Sequence, residues 1–183
     1  MTGQSDKAGK GRRTLAGALQ KAIEASLLPG DTPMNAAQLA EAADYLLATA
    51  LERKPGAADI ELHSASEGHR TLNLAIVNDD MPFLVDSIAA TIAAQGLAID
   101  RLVHPILAVR RDRNGRLVEL HDGRQAGMGC ESFIYVETPR VDARQRRELQ
   151  AALAATLADV RAAVEDWPRM REAMAEDARQ LGE

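Results

Sequence analysis

The chain has 183 residues, of which 46% are hydrophobic and 3% aromatic, and its formal net charge is −5. This length suits one globular domain with an appendage, and an apolar content supplied largely by Ala and Leu favours helix-rich packing over a β-sandwich. The acidic balance argues against nucleic acid or an anionic membrane as partners, and no segment approaches the roughly 18 uninterrupted apolar residues of a membrane span.

The residue pattern of the N-terminal region predicts a polar, disordered segment followed by two helices. Residues 1–12 are polar and basic with three glycines, which predicts disorder. A second helix is expected to begin at Thr32 or Asn35 and to end before "RKPG", so that residues 13–55 form a helical extension. The first helix is indicated by an apolar residue at every fourth position: Leu15, Leu19, Ile23 and Leu27.

The periodicity changes to two after Asp59, which indicates β-strands. Residues 58–64 and 70–77 alternate apolar and polar side chains around the turn-like "SASEGHR", so they are predicted to form a hairpin. Pro82 then marks the start of a helix, and Gly96 suits its left-handed end. The buried stripe of this helix is expected to comprise Leu84, Ile88 and Ile92.

The second half of the chain predicts three further strands and a long helix. "LAIDRLVHPILAVRR" reads as one strand in which Pro105 requires a sheet edge or a bulge. Asn114-Gly115 predicts a tight hairpin into "LVELH", and "ESFIYVE" predicts the next strand. Asp142 is the expected N-cap of the long helix, which "DWPRM" should end or kink before a short C-terminal helix. No later element is evident to cover the apolar stripe of the long helix: Leu149, Leu153, Leu157, Val160 and Val164.

This order of elements predicts an α+β fold of the ACT-like, or ferredoxin-like, type. We expect an antiparallel sheet of four to five strands with two helices on one face, spanning residues 58–167, and a C-terminal helix at residues 168–183. A complete βαββαβ unit has a final strand beside its first strand, and none is visible after the long helix. Because a hairpin partner would have the required direction, residues 58–64 are predicted to take that place.

Several motifs resemble one known family. "HRTLNLAIVNDDMPFLVDSI", "VHPILAVRRDRNGRL", "ESFIYVE" and "LADVRAAVEDWPRM" occur in an order and spacing similar to the N-terminal region of the large bacterial NAD-specific glutamate dehydrogenases. The resemblance extends from about Gln38 to Met174. It implies an N-terminal segment of a much longer enzyme that oxidatively deaminates L-glutamate to 2-oxoglutarate with NAD.

The resemblance also implies a noncatalytic role for this segment in regulation or assembly. Other domains and subunits of the parent enzyme are the expected partners, and an oligomer is expected. NAD is the cofactor of the suspected parent, whereas this segment is expected to bind none. Its glycine cluster, Gly123 to Gly129, precedes a strand and lacks the G-x-G-x-x-G pattern at a helix start that a dinucleotide site requires.

The acidic pair Asp79 and Asp80 has two main interpretations. Both residues precede a proline-started helix, so they can cap its N-terminus and form the preceding turn. In ACT domains this loop belongs to an amino-acid effector site, where N–H groups hold a carboxylate and an aspartate holds an ammonium group. Phe83 departs from that pattern, which commonly has glycine after the proline. The candidate effector-binding residues are Asn78, Asp79, Asp80, Met81, Phe83 and Leu84.

A stand-alone metal or carboxylate enzyme is the third interpretation. It would combine residues that are mostly distant in sequence: Asp79, Asp80, Asp86, His104 and Glu131. We nevertheless expect no catalytic residue and no metal ligand in this segment, because a metal site needs converging ligands. A lone strand histidine such as His104 is usually structural. Cys130 is the single cysteine, so the chain has no internal disulfide, which suits the cytoplasm. Its sequence neighbours include no basic residue that would activate the thiol.

Overall fold

The computed structural model of the protein describes residues 3–27, 32–65 and 71–181. The expectations for residues 1, 2, 28–31, 66–70, 182 and 183 lie outside the described residues. Among the described helices, none combines the length and the apolar character needed to cross a bilayer. In chain order the elements are α1 (Gly3–Ala25), α2 (Ala36–Ala50), β1 (Asp59–Ser64), β2 (Thr71–Asp79), α3 (Leu84–Ala94), β3 (Arg101–Val103), β4 (Ile106–Arg111), β5 (Leu117–Asp122), β6 (Gly129–Pro139) and α4 (Ala143–Leu181).

The strands form one antiparallel sheet, which confirms the predicted α+β, ACT-like fold. Its order is β1-β2-β6-β4-β5, and the short β3 also pairs with β6. β1 pairs with β2 from Asp59 opposite Val77 to Ser64 opposite Leu72. It thereby occupies the edge position that the final strand holds in a ferredoxin-like unit. The predicted strand replacement is confirmed.

The described sheet has six strands rather than the expected four to five because the predicted long strand is divided at His104-Pro105. Proline has no N–H for the ladder, so regular pairing stops there. The carbonyl of Pro105 still accepts a 2.9 Å hydrogen bond from the Phe133 N–H. Pairing with β6 then resumes at Ile106, opposite Ser132.

Each face of the sheet carries its own hydrophobic core. On one face, α3 and α4 pack against β2 and β6, with a core that includes Leu72, Leu74, Ile76, Ile88, Ile92, Leu149, Leu153 and Leu157. The stripe of α4 is therefore covered by the sheet, and the expectation that it lacked a covering element was wrong. On the other face, α1 and α2 pack against the sheet. The helices contribute Leu19, Ile23, Leu46 and Leu47 to this core, and the strands contribute Ala75, Val77, Val109 and Phe133.

The helix starts follow the predicted caps more closely than the helix ends follow the predicted breaks. Asn35 forms a capping box with Gln38 at the start of α2. Asp142 Oδ1 accepts hydrogen bonds from the N–H groups of Arg144 and Gln145, each at 2.8 Å. The expected end at "DWPRM" and the separate short helix were wrong, because α4 continues through Pro168 to Leu181. α1 begins at Gly3, inside the segment expected to be disordered.

Candidate functional site

The six candidate effector-binding residues lie along the end of β2 and the start of α3, but their side chains point to different surroundings. Asn78 and Leu84 are buried, and Leu84 belongs to the core between the sheet and α3. Met81 packs partly against that core, whereas Phe83 is 67% exposed. The remaining two residues, Asp79 and Asp80, contact different partners. The structure therefore does not gather the six side chains into one concave site.

Asp79 forms ion pairs with two arginines from distant parts of the chain. Its Oδ1 lies 2.5 Å from Arg53 Nη2, and its Oδ2 lies 2.8 Å from Arg161 Nη2 on α4. Arg161 also donates to Asn78 Oδ1 at 2.6 Å. The interpretation of Asp79 as a helix cap was wrong, because α3 has Phe83 at its N-cap and no side-chain cap hydrogen bond.

Glu131 lies directly opposite Asp79 in the β2–β6 register and extends the same network. Arg53 Nη2 donates to Glu131 Oε1 at 2.8 Å, and Arg111 donates to both oxygens of Glu131 at 2.7 Å. Arg53 thus separates two carboxylates that would otherwise face each other across the ladder. We call Arg53, Asp79, Arg111, Glu131 and Arg161 the arginine–carboxylate network.

Backbone carbonyls accept further hydrogen bonds from Arg53 and Arg111, whereas Arg53 Nε is buried without a partner among the described residues. Arg53 Nη1 donates to the Ala57 carbonyl at 2.7 Å. Arg111 Nη1 donates to the carbonyls of Ala50 and Gly115, each at 2.8 Å. The network therefore ties the end of α2 and the following loop to the sheet, and through Arg161 to α4.

The network stabilises the ionised form of Asp79. Partial burial by itself raises the pKa of this carboxyl, but hydrogen bonds and charges from Arg53 and Arg161 outweigh it and lower the pKa. Burial by itself lowers the pKa of Arg53, and the two carboxylates reverse that effect and raise the pKa. Both groups consequently stay charged across the physiological range.

Asp80 belongs to a separate polar group beside His104. The Asp80 N–H donates to the Cys130 carbonyl at 3.0 Å, and the Ser132 hydroxyl donates to Asp80 Oδ1 at 3.1 Å. Asp80 therefore does not cap α3 through its side chain. His104 Nε2 is buried without a hydrogen-bond partner among the described residues. Burial lowers the pKa of His104, although the charge of Asp80 partly opposes that shift.

The residues of the metal or carboxylate alternative are divided between these two groups and the surface. Glu131 is engaged by arginines, and Asp86 is exposed on α3. In the described ranges, no cluster of three or more His, Cys, Asp or Glu side chains is placed to hold a metal ion. A carboxylate neutralised by guanidinium groups is also a poor metal ligand or general base.

Phe83 holds the backbone conformation that glycine ordinarily supplies. Its φ is 70°, and it is the non-glycine residue with a positive φ in the described part of the chain. The backbone after Pro82 therefore takes a left-handed conformation that glycine adopts without strain, and the exposed aromatic residue at this position adds strain.

Sequence reasoning missed the arginines that organise this region. Strand alternation gave one usable signal, since Arg111 lies two residues after Val109 and four after Leu107, on the same buried face. Glu131 similarly shares its strand face with Phe133. Arg53 and Arg161 had no comparable signal, because nothing in a loop or a helix sequence specifies which distant carboxylate its guanidinium will reach.

Two concave regions are lined by other residues than the six candidate effector-binding residues. A cavity of about 350 Å³ separates the loop before β1 from α4 and is lined by small side chains together with Arg161 and Glu165. A larger cleft of about 680 Å³ lies on the opposite face of the sheet, beside α2. None of the six candidate residues lines either cavity.

Comparison with known proteins assigns the family. A family model described as glutamate dehydrogenase, ACT1 domain, matches residues 26–153. NAD-specific glutamate dehydrogenases from Halomonas elongata and Pseudomonas aeruginosa are 34% and 32% identical to the chain over 116 residues, 62% of its length. The matched segment spans 7% of each of these relatives. The family resemblance predicted from the sequence motifs is confirmed, and the chain belongs to the glutamate dehydrogenase ACT1 domain family.

Proposed function

We propose that the chain is a noncatalytic regulatory or assembly domain of an NAD-dependent glutamate dehydrogenase. The parent enzyme would convert L-glutamate, NAD and water to 2-oxoglutarate, ammonia and NADH in the cytoplasm, with the NAD site in other domains. The names and lengths of the relatives support this proposal, because the matched segment is 7% of each. Its partners would be other domains and subunits of the parent.

The observation that carries the architectural role is the engagement of Asp79 and Glu131 by Arg53. Asp79 in the expected effector loop and Glu131 opposite it on β6 are already neutralised inside the domain. A general base or an ammonium-binding carboxylate needs a free oxygen facing solvent or substrate. The arrangement instead joins α2, the sheet and α4 into one unit, as a rigid docking domain requires.

The distal part of α4 supports a role in assembly. Trp167, Met170 and Met174 are 55%, 53% and 64% exposed, and their spacing places them on one side of the helix. Aromatic and Met side chains are enriched at protein–protein interfaces. We therefore propose that this stripe contacts another domain or subunit of the parent.

Amino-acid effector binding near residues 78–87 is the second candidate function. The positive φ of Phe83 favours it, because the position at which amino-acid-binding ACT domains commonly have glycine takes a backbone conformation that glycine readily adopts. A ligand there would be held by the N–H groups that follow Met81 and by the carboxylate of Asp80, which lies outside the arginine–carboxylate network and is 3.8 Å from Arg124 Nη2.

Two measurements separate these proposals. Calorimetry of the purified chain with the anionic amino acids aspartate and glutamate should give no saturable heat if its role is purely architectural. Saturable heat that Asp80→Asn abolishes would support the effector function instead. For assembly, a Trp167→Ser/Met170→Ser/Met174→Ser variant of the longer dehydrogenase should have weaker contacts between subunits or domains. Light scattering should then report an assembly of lower mass. An unchanged assembly and unchanged glutamate oxidation would contradict the assembly proposal.

A further inference from the structure

A cleft on the α1–α2 face of the sheet contains an unusual set of polar side chains. Its two adjoining cavities measure about 680 and 270 Å³. The volume of the larger cavity falls in the range of small-molecule sites. Both cavities are lined by Glu41, His63, Asn73 and Tyr135. We call this region, which also includes Tyr45, Asp100, Arg101 and Glu137, the acidic cleft.

Asn73 supplies an unsatisfied acceptor in the acidic cleft. The residue is 7% exposed, lies on β2 and points to the face covered by α2. Its Oδ1 is buried and has no hydrogen-bond partner among the described residues. Burial of an amide oxygen without a donor is unfavourable, so a ligand that donates to it would recover that free energy.

The charges around Asn73 are predominantly negative. Arg101 Nε lies 3.2 Å from Glu137 Oε2, and Arg101 also donates to the Thr32 carbonyl at 2.6 Å. The Tyr135 hydroxyl donates to the other oxygen of Glu137 at 3.1 Å. Both oxygens of Glu137 therefore have partners. The carboxylates of Glu41 and Asp100 form no ion pair in the described part of the protein.

Aromatic rings provide the remaining walls of the acidic cleft. The rings of Tyr45 and His63 have centroids 6.2 Å apart and are tilted by 60°. Tyr45 donates to the Asn73 carbonyl at 3.4 Å, so its ring is fixed beside the unsatisfied amide. Ring faces of this kind attract organic cations and accept the methylene groups attached to them.

We propose that the acidic cleft binds a small organic cation that carries an ammonium or guanidinium group. The N–H groups of the ligand would donate to Asn73 Oδ1 and to the Glu41 carboxylate, with Asp100 as a second counter-charge. The Tyr45 and Tyr135 rings would contact its carbon chain. This proposal does not rest on the proposed function, because the cleft shares no residue with the arginine–carboxylate network or with residues 78–87.

Calorimetric titration of the chain with 1,4-diaminobutane tests the proposal, with glutarate as the anionic control. We expect saturable binding of the diamine with one site per chain, weakened by salt, and no heat from glutarate. Glu41→Gln and Asn73→Leu should each weaken binding about tenfold or more, because each removes a hydrogen bond to a charged donor. Glu172→Gln removes one carboxylate from the exposed distal part of α4 and should leave the affinity unchanged.

Asn73→Leu has a second expected effect that guards against simple misfolding. Replacing a side chain whose amide oxygen is buried without a partner by an apolar one should raise the Tm of the ligand-free chain while it weakens diamine binding. Absence of saturable diamine binding by the wild-type chain would overturn the proposal. Equal weakening by Glu41→Gln and Glu172→Gln would also overturn it, because the attraction would then reflect only the net charge.

Discussion

Arg53 and Glu131 form a buried ion pair, with Arg53 Nη2 2.8 Å from Glu131 Oε1 and with side chains 4% and 6% exposed. Arg53→Met should lower the free energy of unfolding by about 3 kcal/mol, because the buried carboxylate loses one cation and then faces Asp79 directly. Urea denaturation followed by circular dichroism measures this change.

Arg171→Met is the matched control, since Arg171 is exposed on α4. It should change stability by less than about 0.5 kcal/mol. A double variant, Arg53→Met/Glu131→Gln, should not recover the loss, because Glu131 also pairs with Arg111, and its replacement leaves that arginine without a carboxylate. If the two single arginine variants were equally stable, the central role of Arg53 would be contradicted.

Gly115 lies at the hairpin between β4 and β5, against the backbone of Arg53. Its φ is +80°, and a Cβ at this position would come within 2.3 Å of the Arg53 carbonyl oxygen. Gly115→Ala should therefore lower the free energy of unfolding by about 3 kcal/mol or more, combining backbone strain with a steric clash. Thermal and urea unfolding measure the effect.

Gly56 offers a control that separates these two causes. Its φ is +72°, but a Cβ there would meet nothing within 4 Å. Gly56→Ala should cost about 1 kcal/mol from the left-handed conformation alone. Equal losses in the two variants would mean that the contact between Gly115 and Arg53 contributes nothing.

His104 should make stability depend on pH. Burial lowers its pKa below the ordinary value of 6.5, so the unfolded chain binds this proton at a higher pH than the folded chain. The contribution of His104 is therefore fully present above pH 6.5 and is lost as the pH falls through the lower, folded-state pKa. His104→Gln should have a flatter stability profile than the wild type below pH 6.5.

His121 provides the comparison for this profile. Its side chain is 49% exposed on β5. His121→Gln should retain the pH dependence of the wild type in urea titrations performed at several pH values. A wild-type profile with no downward slope between pH 6.5 and 5 would contradict the assigned role of His104.

Phe83 should be less stable at its position than glycine. A non-glycine residue with a φ of 70° carries strain, and a side chain that is 67% exposed contributes little burial. Phe83→Gly should raise the free energy of unfolding by about 1 kcal/mol. Phe83→Ala should show no such gain, because alanine removes the ring and keeps the strain. Greater stability of the alanine variant would assign the cost to the exposed ring instead.

Patterns among neighbouring residues predicted much of the fold. Contacts between polar residues that are distant in sequence could not be predicted in this way. The β1–β2 hairpin and the caps at Asn35 and Asp142 were predictable, because each depends on neighbouring residues and strand alternation. Pro168 misled the prediction of the end of α4. The residues around it are exposed, so a carbonyl deprived of its helical donor can bond water without ending the helix.

The candidate site was less predictable for a related reason. The position of Asp79 between a strand and a helix suggested a cap, whereas its contacts are with Arg53 and Arg161, which are 26 and 82 positions away in sequence and reach it only in the folded chain. The binding roles of Asn78, Asp79, Asp80, Met81, Phe83 and Leu84 stay predictions.

The replacement of the final strand by β1 has a consequence for folding kinetics. Since β1 and β2 are joined by a short connection, the edge of the sheet can form through a local hairpin. In the usual order of a ferredoxin-like unit, that edge can form only when the strand that follows the second helix pairs with the first strand. Low sequence separation between paired strands reduces the entropy of loop closure and speeds folding. The permuted order therefore lowers the contact order of the sheet edge without changing its hydrogen-bonded neighbours.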